Sequence, residues 1–135
     1  SPLLDLWQKH KDDLPSFNLA LHAEGYWPPT AKLIKEMSRY LKERRVPFFL
    51  VVEPDTLIPD FKERYPYQPI HDKLHALKGE NLVVVDTLEP LAKRIPNPKD
   101  MWVQHDDGHK NAEANGIMAR VTAEAIMARM KGGHL

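Results

Sequence analysis

The sequence contains no cysteine, which excludes disulfide bonds and thiolate metal sites and leaves the redox compartment unassigned. No charge of one sign dominates, because 19 Lys and Arg residues balance 19 Asp and Glu residues. Without a basic surface, nucleic acid is not an expected partner. The longest unbroken apolar run, Phe48 to Val52, is far too short for a membrane span. Ser1 to Asp5 lack the basic stretch that begins a signal peptide, so none is expected at these residues. This says nothing about a longer parent protein.

Serine is also scarce, and this bears on nucleophilic catalysis. The only serines are Ser1, Ser16 and Ser38. Ser16 follows a proline and Ser38 lies within a helical pattern, so neither has the strand-to-helix turn that exposes a nucleophile. The 135 residues are enough for one domain with a modest core.

Two apolar runs stand out in the middle of the chain, Val46 to Val52 and Asn81 to Asp86. Both lack the alternation of a half-exposed strand, so they predict two parallel strands covered on both faces. Apolar residues recur at helical spacing from Leu33 to Leu41 and again from Ile70 to Leu77. This alternation of helix and strand predicts an α/β fold.

The N-terminal region has weaker patterns. Residues 3 to 13 carry apolar positions on one helical face, and Pro15 is expected to end that helix. Residues 17 to 21 alternate between apolar and polar or small side chains, which indicates a short extended piece. Residues 22 to 29 are expected to form a loop, because two consecutive prolines favour extended backbone. Thr30 is then a suitable N-cap for the next helix.

The C-terminal third combines a polar run with a long helical pattern. Residues 101 to 103 are expected to form a short third strand, which leads into the run H-D-D-G-H over residues 105 to 109. Asn111 is a good N-cap for the final helix, whose small apolar residues indicate close packing on a sheet. Gly132 and Gly133 are expected to end that helix.

Within the polar run, Asp106 and His109 are three residues apart, with Gly108 between them to let the backbone turn. This spacing predicts that the Asp106 carboxylate accepts a hydrogen bond from one ring nitrogen of His109. The other nitrogen would then be held as a proton acceptor. These are the roles of the acid and base in a nucleophilic triad, so Asp106 and His109 are the candidate catalytic residues.

The order D-x-x-H, then N-A-E, then a closing helix resembles the C-terminal block of the SGNH, or GDSL-type, hydrolases. The upstream order is also similar, with a strand ending in E-P, a helix and a strand ending in Asp, so the resemblance covers roughly residues 30 to 131. It implies a flavodoxin-like, three-layer α/β/α fold with parallel strands, of which residues 30 to 135 form the C-terminal part. Residues 1 to 29 are then an N-terminal helix and loop, either an insertion or a linker.

The same resemblance implies hydrolysis of ester bonds by a Ser-His-Asp triad, with Asp106 as its acid and His109 as its base. Carbohydrate acetyl esters are among the expected substrates, and no cofactor or metal is implied. The family's G-D-S block and its oxyanion Gly and Asn blocks are absent from this sequence. We therefore expect the serine to come from outside these residues, and no ester turnover by the chain alone. The missing N-terminal half, or a second copy, is the expected partner at the open sheet edge.

Two other hypotheses stay open. Nitrogen and oxygen ligands for zinc or manganese are available from four neighbouring side chains, His105, Asp106, Asp107 and His109. Glu53 or Asp86, each at a strand end, would add a further ligand. The chain is alternatively a non-catalytic binding or scaffold module of the same fold. His71 and His75 are four residues apart on a helix, and we expect two exposed surface histidines there rather than metal ligands.

Overall fold

The computed structural model describes residues 1–58, 61 and 65–132. The helices are α1 (Pro2–His10), α2 (Leu14–Leu21), α3 (Trp27–Glu43), α4 (Gln68–His75), α5 (Leu88–Arg94) and α6 (Ala112–Lys131). A π-helical segment, His22–Tyr26, joins α2 to α3, and a 3₁₀ turn, Pro98–Met101, follows α5. The strands are β1 (Phe48–Val52), β2 (Leu82–Asp86), β3 (Trp102–Gln104) and β4 (Asp107–Lys110). Gly132 is the C-cap of α6, as predicted, and Gly133 lies outside the described residues.

The central element is a parallel pair of strands. The register of β1 and β2 runs from Phe48 opposite Leu82 to Val52 opposite Asp86, so both strands end at the same edge. This pair and the surrounding helices confirm the predicted α/β class and the parallel strands. The prediction that both faces are covered is wrong for β1, because Val52 is buried whereas Val51 is exposed.

The N-terminal region is more helical than the sequence predicted. α2 occupies the residues that were expected to be extended, because the Asp13 side chain caps it by accepting from Ser16 N at 3.3 Å. Pro15 does not end a helix here. It lies in the first turn of α2, where no amide donor is required. The loop predicted over residues 22 to 29 is the π-helical segment and the start of α3. α3 begins before Thr30, which is therefore inside the helix and not its N-cap.

α3 carries the predicted apolar stripe, but the described residues leave most of that stripe uncovered. Ile34 is buried, whereas Leu33, Met37 and Tyr40 are exposed. Contiguous apolar surface of this kind is uncommon on an isolated soluble domain and usually marks a contact with another structure.

Eight of the buried apolar side chains form two clusters. The first joins α5, the 3₁₀ turn and α6, and it consists of Leu91, Ile95, Met101, Ala114 and Met118. The second lies beside α4 and consists of Ile58, Tyr65 and Tyr67. Leu19 of α2 packs against the second cluster, and Asn18 Nδ2 donates to the Tyr67 hydroxyl at 2.9 Å. The N-terminal helices therefore contact the α/β part directly. In the described ranges, no helix has both the length and the apolar composition needed to cross a membrane.

β3 and β4 form an antiparallel hairpin that is separate from the parallel sheet. The strand expected near residues 101 to 103 is therefore not a third strand of the main sheet. Asn111 ties the hairpin to α6, since its Nδ2 donates to Asp100 O at 2.8 Å and to Trp102 O at 3.3 Å. Its Oδ1 accepts from Ala114 N at 3.0 Å, which confirms the predicted N-cap.

Candidate active site

The polar run H-D-D-G-H forms the turn and the second strand of the hairpin. His105 and Asp106 make the turn, and β4 begins at Asp107. Side chains two residues apart on a strand point to the same face. Asp107 and His109 are therefore neighbours on one face of β4, whereas Asp106 is at the tip of the hairpin.

Asp107 holds His109 at two points. Its Oδ1 accepts from the His109 backbone N at 3.0 Å and from His109 Nδ1 at 2.5 Å. The backbone hydrogen bond, followed by the ring hydrogen bond, lowers the pKa of the Asp107 carboxyl below its usual value. The hydrogen bond predicted between Asp106 and His109 is not found among the described residues, so that geometric prediction is wrong. The catalytic role assigned to Asp106 stays a prediction, and its position at the hairpin tip does not favour it.

The hydrogen bond to Asp107 also sets the tautomer of His109. An ionised carboxylate only accepts hydrogen bonds, so Nδ1 carries the ring proton. Nε2 then keeps its lone pair, which is the state that a general base requires. The His109 side chain is 89% exposed, so Nε2 is accessible to a reacting group brought from elsewhere.

His109 lies in a shallow groove of about 660 Å³. The groove is lined by Leu57, Gln104, Asp106, Asp107, Gly108 and His109. No serine is among these lining residues. Ser16 is in α2, where its Oγ donates to Asp13, and Ser38 is in α3. The groove therefore offers a base with its orienting acid, and the described residues bring no serine hydroxyl to it.

A second Asp–His cluster lies at the end of β2, and sequence reasoning missed it. Asp86 Oδ2 accepts from His71 Nδ1 at 2.9 Å and from His75 Nε2 at 2.8 Å. The His71 side chain is 4% exposed and that of Asp86 is 15% exposed. The expectation of two exposed surface histidines is wrong for His71, which is buried, whereas the His75 side chain is 44% exposed. Both rings of α4 nevertheless turn toward the Asp86 carboxylate at the end of β2. The available signal was a pair of histidines on one helical face combined with an Asp that ends an apolar strand.

Three donors converge on the Asp86 carboxylate, since Oδ1 also accepts from Leu88 N at 3.0 Å. Burial tends to raise the pKa of Asp86, but the hydrogen bonds from His71, Leu88 N and His75 outweigh it and lower the pKa to about 2. Tyr65 packs edge-on against His71, with ring centroids 5.1 Å apart. His75 and Asp86 also border a groove of about 820 Å³ between β2, α5 and α6. The acceptor oxygens of this cluster are already occupied by protein donors.

The metal hypothesis receives no support from the described part of the chain. Within it, no group of three or more His, Asp or Glu side chains is arranged to hold a metal ion. The two carboxylates considered as further ligands are engaged elsewhere. Glu53 Oε2 accepts from Lys110 Nζ at 2.9 Å, and Asp86 accepts from its two histidines.

No family model matches the chain, and no curated protein or solved structure matches it.

Proposed function

We propose that this chain supplies the acid and the base of a serine-type ester hydrolase of the SGNH kind, with Asp107 and His109 as the pair. The observation that carries the proposal is the double hydrogen bond between them, which leaves His109 Nε2 as a proton acceptor. The D-x-x-H spacing favoured Asp106 as the acid, and the hairpin geometry favours Asp107. The substrate class comes from the sequence resemblance: esters, with acetylated carbohydrates as the first candidates.

The chemistry of such an enzyme fits the described geometry. His109 Nε2 would take the proton of a serine hydroxyl as the serine oxygen attacks the ester carbonyl, and would then give it to the leaving alcohol. Asp107 would hold the ring and stabilise the imidazolium that forms between these two steps. Because its pKa is lowered, the Asp107 carboxylate is ionised at neutral pH, as this role requires.

The serine would come from outside the 135 residues, on strands that extend the sheet beside β1. Phe48 N donates to Asn81 O at 2.9 Å, and Thr87 N donates to Val52 O at 3.0 Å, so these positions of β1 face β2. Backbone groups alternate in direction along a strand, so Phe49 and Val51 turn theirs to the other edge. No described strand pairs with that edge. A parallel strand from another part of the protein would fit there.

The test is to determine the full reading frame that contains this chain and to express the polypeptide that it encodes. We expect a G-D-S block upstream of residue 1 and cleavage of p-nitrophenyl acetate and of an acetylated sugar. We expect His109→Ala to reduce kcat by at least about 10⁴-fold, since the triad base is lost. His105→Ala is the matched control, because His105 lies in the same hairpin but does not line the groove.

Three results would count against the proposal. An upstream sequence without the serine block would remove the nucleophile, and equal activity in the His109→Ala and wild-type polypeptides would remove the base. A His109-dependent rate in the 135-residue chain alone would show that the nucleophile lies within it, which contradicts the assigned division of the triad.

A non-catalytic binding module is the second candidate function. It is favoured by the exposed α3 side chains Leu33, Met37 and Tyr40 and by the edge of β1 that no described strand pairs, because surfaces of both kinds are usually covered by another structure. A folded full polypeptide that associates with such a unit but shows no His109-dependent ester cleavage would favour this candidate over the hydrolase.

A further inference from the structure

The segment that leaves β1, Glu53 to Leu57, runs beside β4 and is called the β1 loop here. It holds both sequence neighbours of His109. Thr56 Oγ1 donates to Gly108 O at 3.2 Å, and Lys110 Nζ donates to Glu53 Oε2 at 2.9 Å. The Thr56 hydrogen bond therefore holds the backbone of β4 just before the histidine, and the Lys110–Glu53 ion pair joins the next side chain of β4 to the same loop.

Thr56 also contacts the other strand of the hairpin. Its backbone O accepts from Trp102 Nε1 at 3.1 Å, while its hydroxyl is bound to Gly108 of β4. The residue is only 3% exposed, so water competes little for these hydrogen bonds. One buried threonine thus joins both hairpin strands to the end of the main sheet.

Gly108 allows this close approach. A Cβ atom built at position 108 would lie 2.5 Å from Leu57 Cδ2, which is closer than carbon atoms pack. The Leu57 side chain therefore lies directly over the glycine, and Leu57 also lines the groove beside His109. Gly108 is in β4, after the turn at residues 105 and 106, and the Leu57 side chain, which is 71% exposed, uses the space that the missing side chain of the glycine leaves.

The β1 loop is itself held in place. Asp55 N donates to the Tyr65 hydroxyl at 2.7 Å, and Leu57 N donates to Asp55 Oδ1 at 2.8 Å. Tyr65 is buried and packs against His71, the buried histidine of the Asp86 cluster. A continuous series of contacts therefore leads from the buried Asp86 network to the exposed hairpin.

We propose that Thr56 is a positioning residue for His109: its hydroxyl and carbonyl hold the hairpin so that the His109 ring stays on Asp107 and faces the groove. This inference rests on the proposed function for its catalytic consequence. Its structural consequence, a fixed Asp107–His109 pair, is independent of any activity. Thr56 touches no substrate in this arrangement and acts only through the hairpin.

The test compares Thr56→Val, which keeps the side-chain shape and loses the hydroxyl, with Thr56→Ser, which keeps the hydroxyl. In Thr56→Val we expect the carboxyl pKa of Asp107, followed by ¹³C NMR, to rise toward its ordinary value. We expect hydrogen exchange at the His109 amide to quicken by about tenfold or more as the hairpin loosens. In the full polypeptide, kcat should fall by about tenfold while KM changes little, since misplaced catalytic groups affect the chemical step. Thr56→Ser should keep the Asp107 carboxyl pKa, the His109 amide exchange and kcat close to their wild-type values.

Thr122→Val is the matched control, because Thr122 Oγ1 also donates to a backbone carbonyl, Met118 O at 2.8 Å, but on α6. It should leave the Asp107 titration and the His109 exchange as in the wild type. A Thr56→Val variant that melts earlier yet keeps the wild-type Asp107 titration and His109 exchange would overturn the positioning role. If these two NMR readouts change as expected and no variant shows ester cleavage, the positioning role stands and the proposed function fails.

Discussion

The two Asp–His clusters of this molecule share their chemistry and differ in their surroundings. At the end of β2, one carboxylate oxygen of Asp86 serves both His71 and His75, and the inner ring is almost fully buried. On the hairpin, Asp107 serves one histidine, His109, whose ring is largely in solvent. The Asp86 cluster joins α4 to β2, whereas the Asp107–His109 pair joins no two elements, because both of its residues belong to β4.

From this difference we expect a structural role for the Asp86 cluster, and we propose a catalytic role only for the Asp107–His109 pair. Removing a partner from a buried ionic network leaves an uncompensated polar group, which costs stability. An exposed pair in water contributes little to stability, so the catalytic role proposed for Asp107 and His109 can be tested without a large loss of folding. The comparison predicts that substitutions at Asp107 affect turnover and that the same substitutions at Asp86 affect folding.

The largest expected effect tests which carboxylate serves His109. In the full polypeptide, Asp107→Asn should reduce kcat for p-nitrophenyl acetate by about 10⁴-fold, because an amide no longer fixes the required tautomer. Asp106→Asn should cost less than about tenfold, since an exposed charge at the hairpin tip acts weakly through water. Steady-state kinetics of the two variants, prepared in parallel, measure both effects.

The reverse outcome is equally informative. A loss confined to Asp106→Asn would show that the hairpin rearranges in the complete enzyme and that the D-x-x-H spacing identified the acid correctly. Small losses in both variants would remove the triad from the proposed function.

The second effect concerns stability. Asp86→Asn should lower the free energy of unfolding by about 3 kcal/mol, because an amide has one acceptor oxygen and its NH₂ group must face a donor. Urea unfolding at neutral pH, followed by circular dichroism, measures this change. Asp107→Asn is the matched control, since it makes the same replacement beside an exposed histidine and should leave the unfolding midpoint within error. Equal destabilisation by the two variants would contradict the contrast between the clusters.

The sequence predicted the elements whose patterns are strong. The apolar strand cores before Glu53 and up to Asp86, the helical spacing around Ile70 and the Asn111 cap are all present in the structure. The prediction of an extended piece in the N-terminal region is wrong, because Asp13 and Pro15 start α2 although the apolar alternation indicated an extended chain. Helix initiation there depends on a cap and a first-turn proline, which outweigh a weak alternation.

The candidate site was predicted only in part. The sequence indicated His109 as the candidate base, which stays a prediction, whereas the choice between Asp106 and Asp107 as its hydrogen-bond partner depends on where the hairpin turns. A turn at residues 105 and 106 places Asp107 in the strand, two positions before His109. Contacts such as Thr56 to Gly108, 52 residues apart, depend on how the hairpin packs on the sheet, and no local pattern carries that information.

The smallest of the three effects is the acid dependence of stability. The pKa of Asp86 is about 2 in the folded protein against an ordinary value of 3.8. Because the folded value is the lower one, the unfolded chain binds the proton more readily, and stability falls as the pH falls. The contribution, about 2 kcal/mol, is fully present above about pH 5 and is lost progressively as the pH falls toward about 2.

Urea unfolding of the wild type and of Asp86→Asn between pH 2 and neutral pH measures this contribution, and the two stability curves should converge as the pH falls toward 2. The pKa of Asp107 is also lowered, so its contribution has the same sign, but this carboxylate is exposed and salt should screen it. Repeating the series in 1 M salt should therefore remove any difference between Asp107→Asn and the wild type while preserving most of the Asp86 effect. If 1 M salt removed the stability differences of both variants, the Asp86 carboxylate would be accessible to solvent. The two clusters would then differ only in how many histidines and structural elements each carboxylate joins.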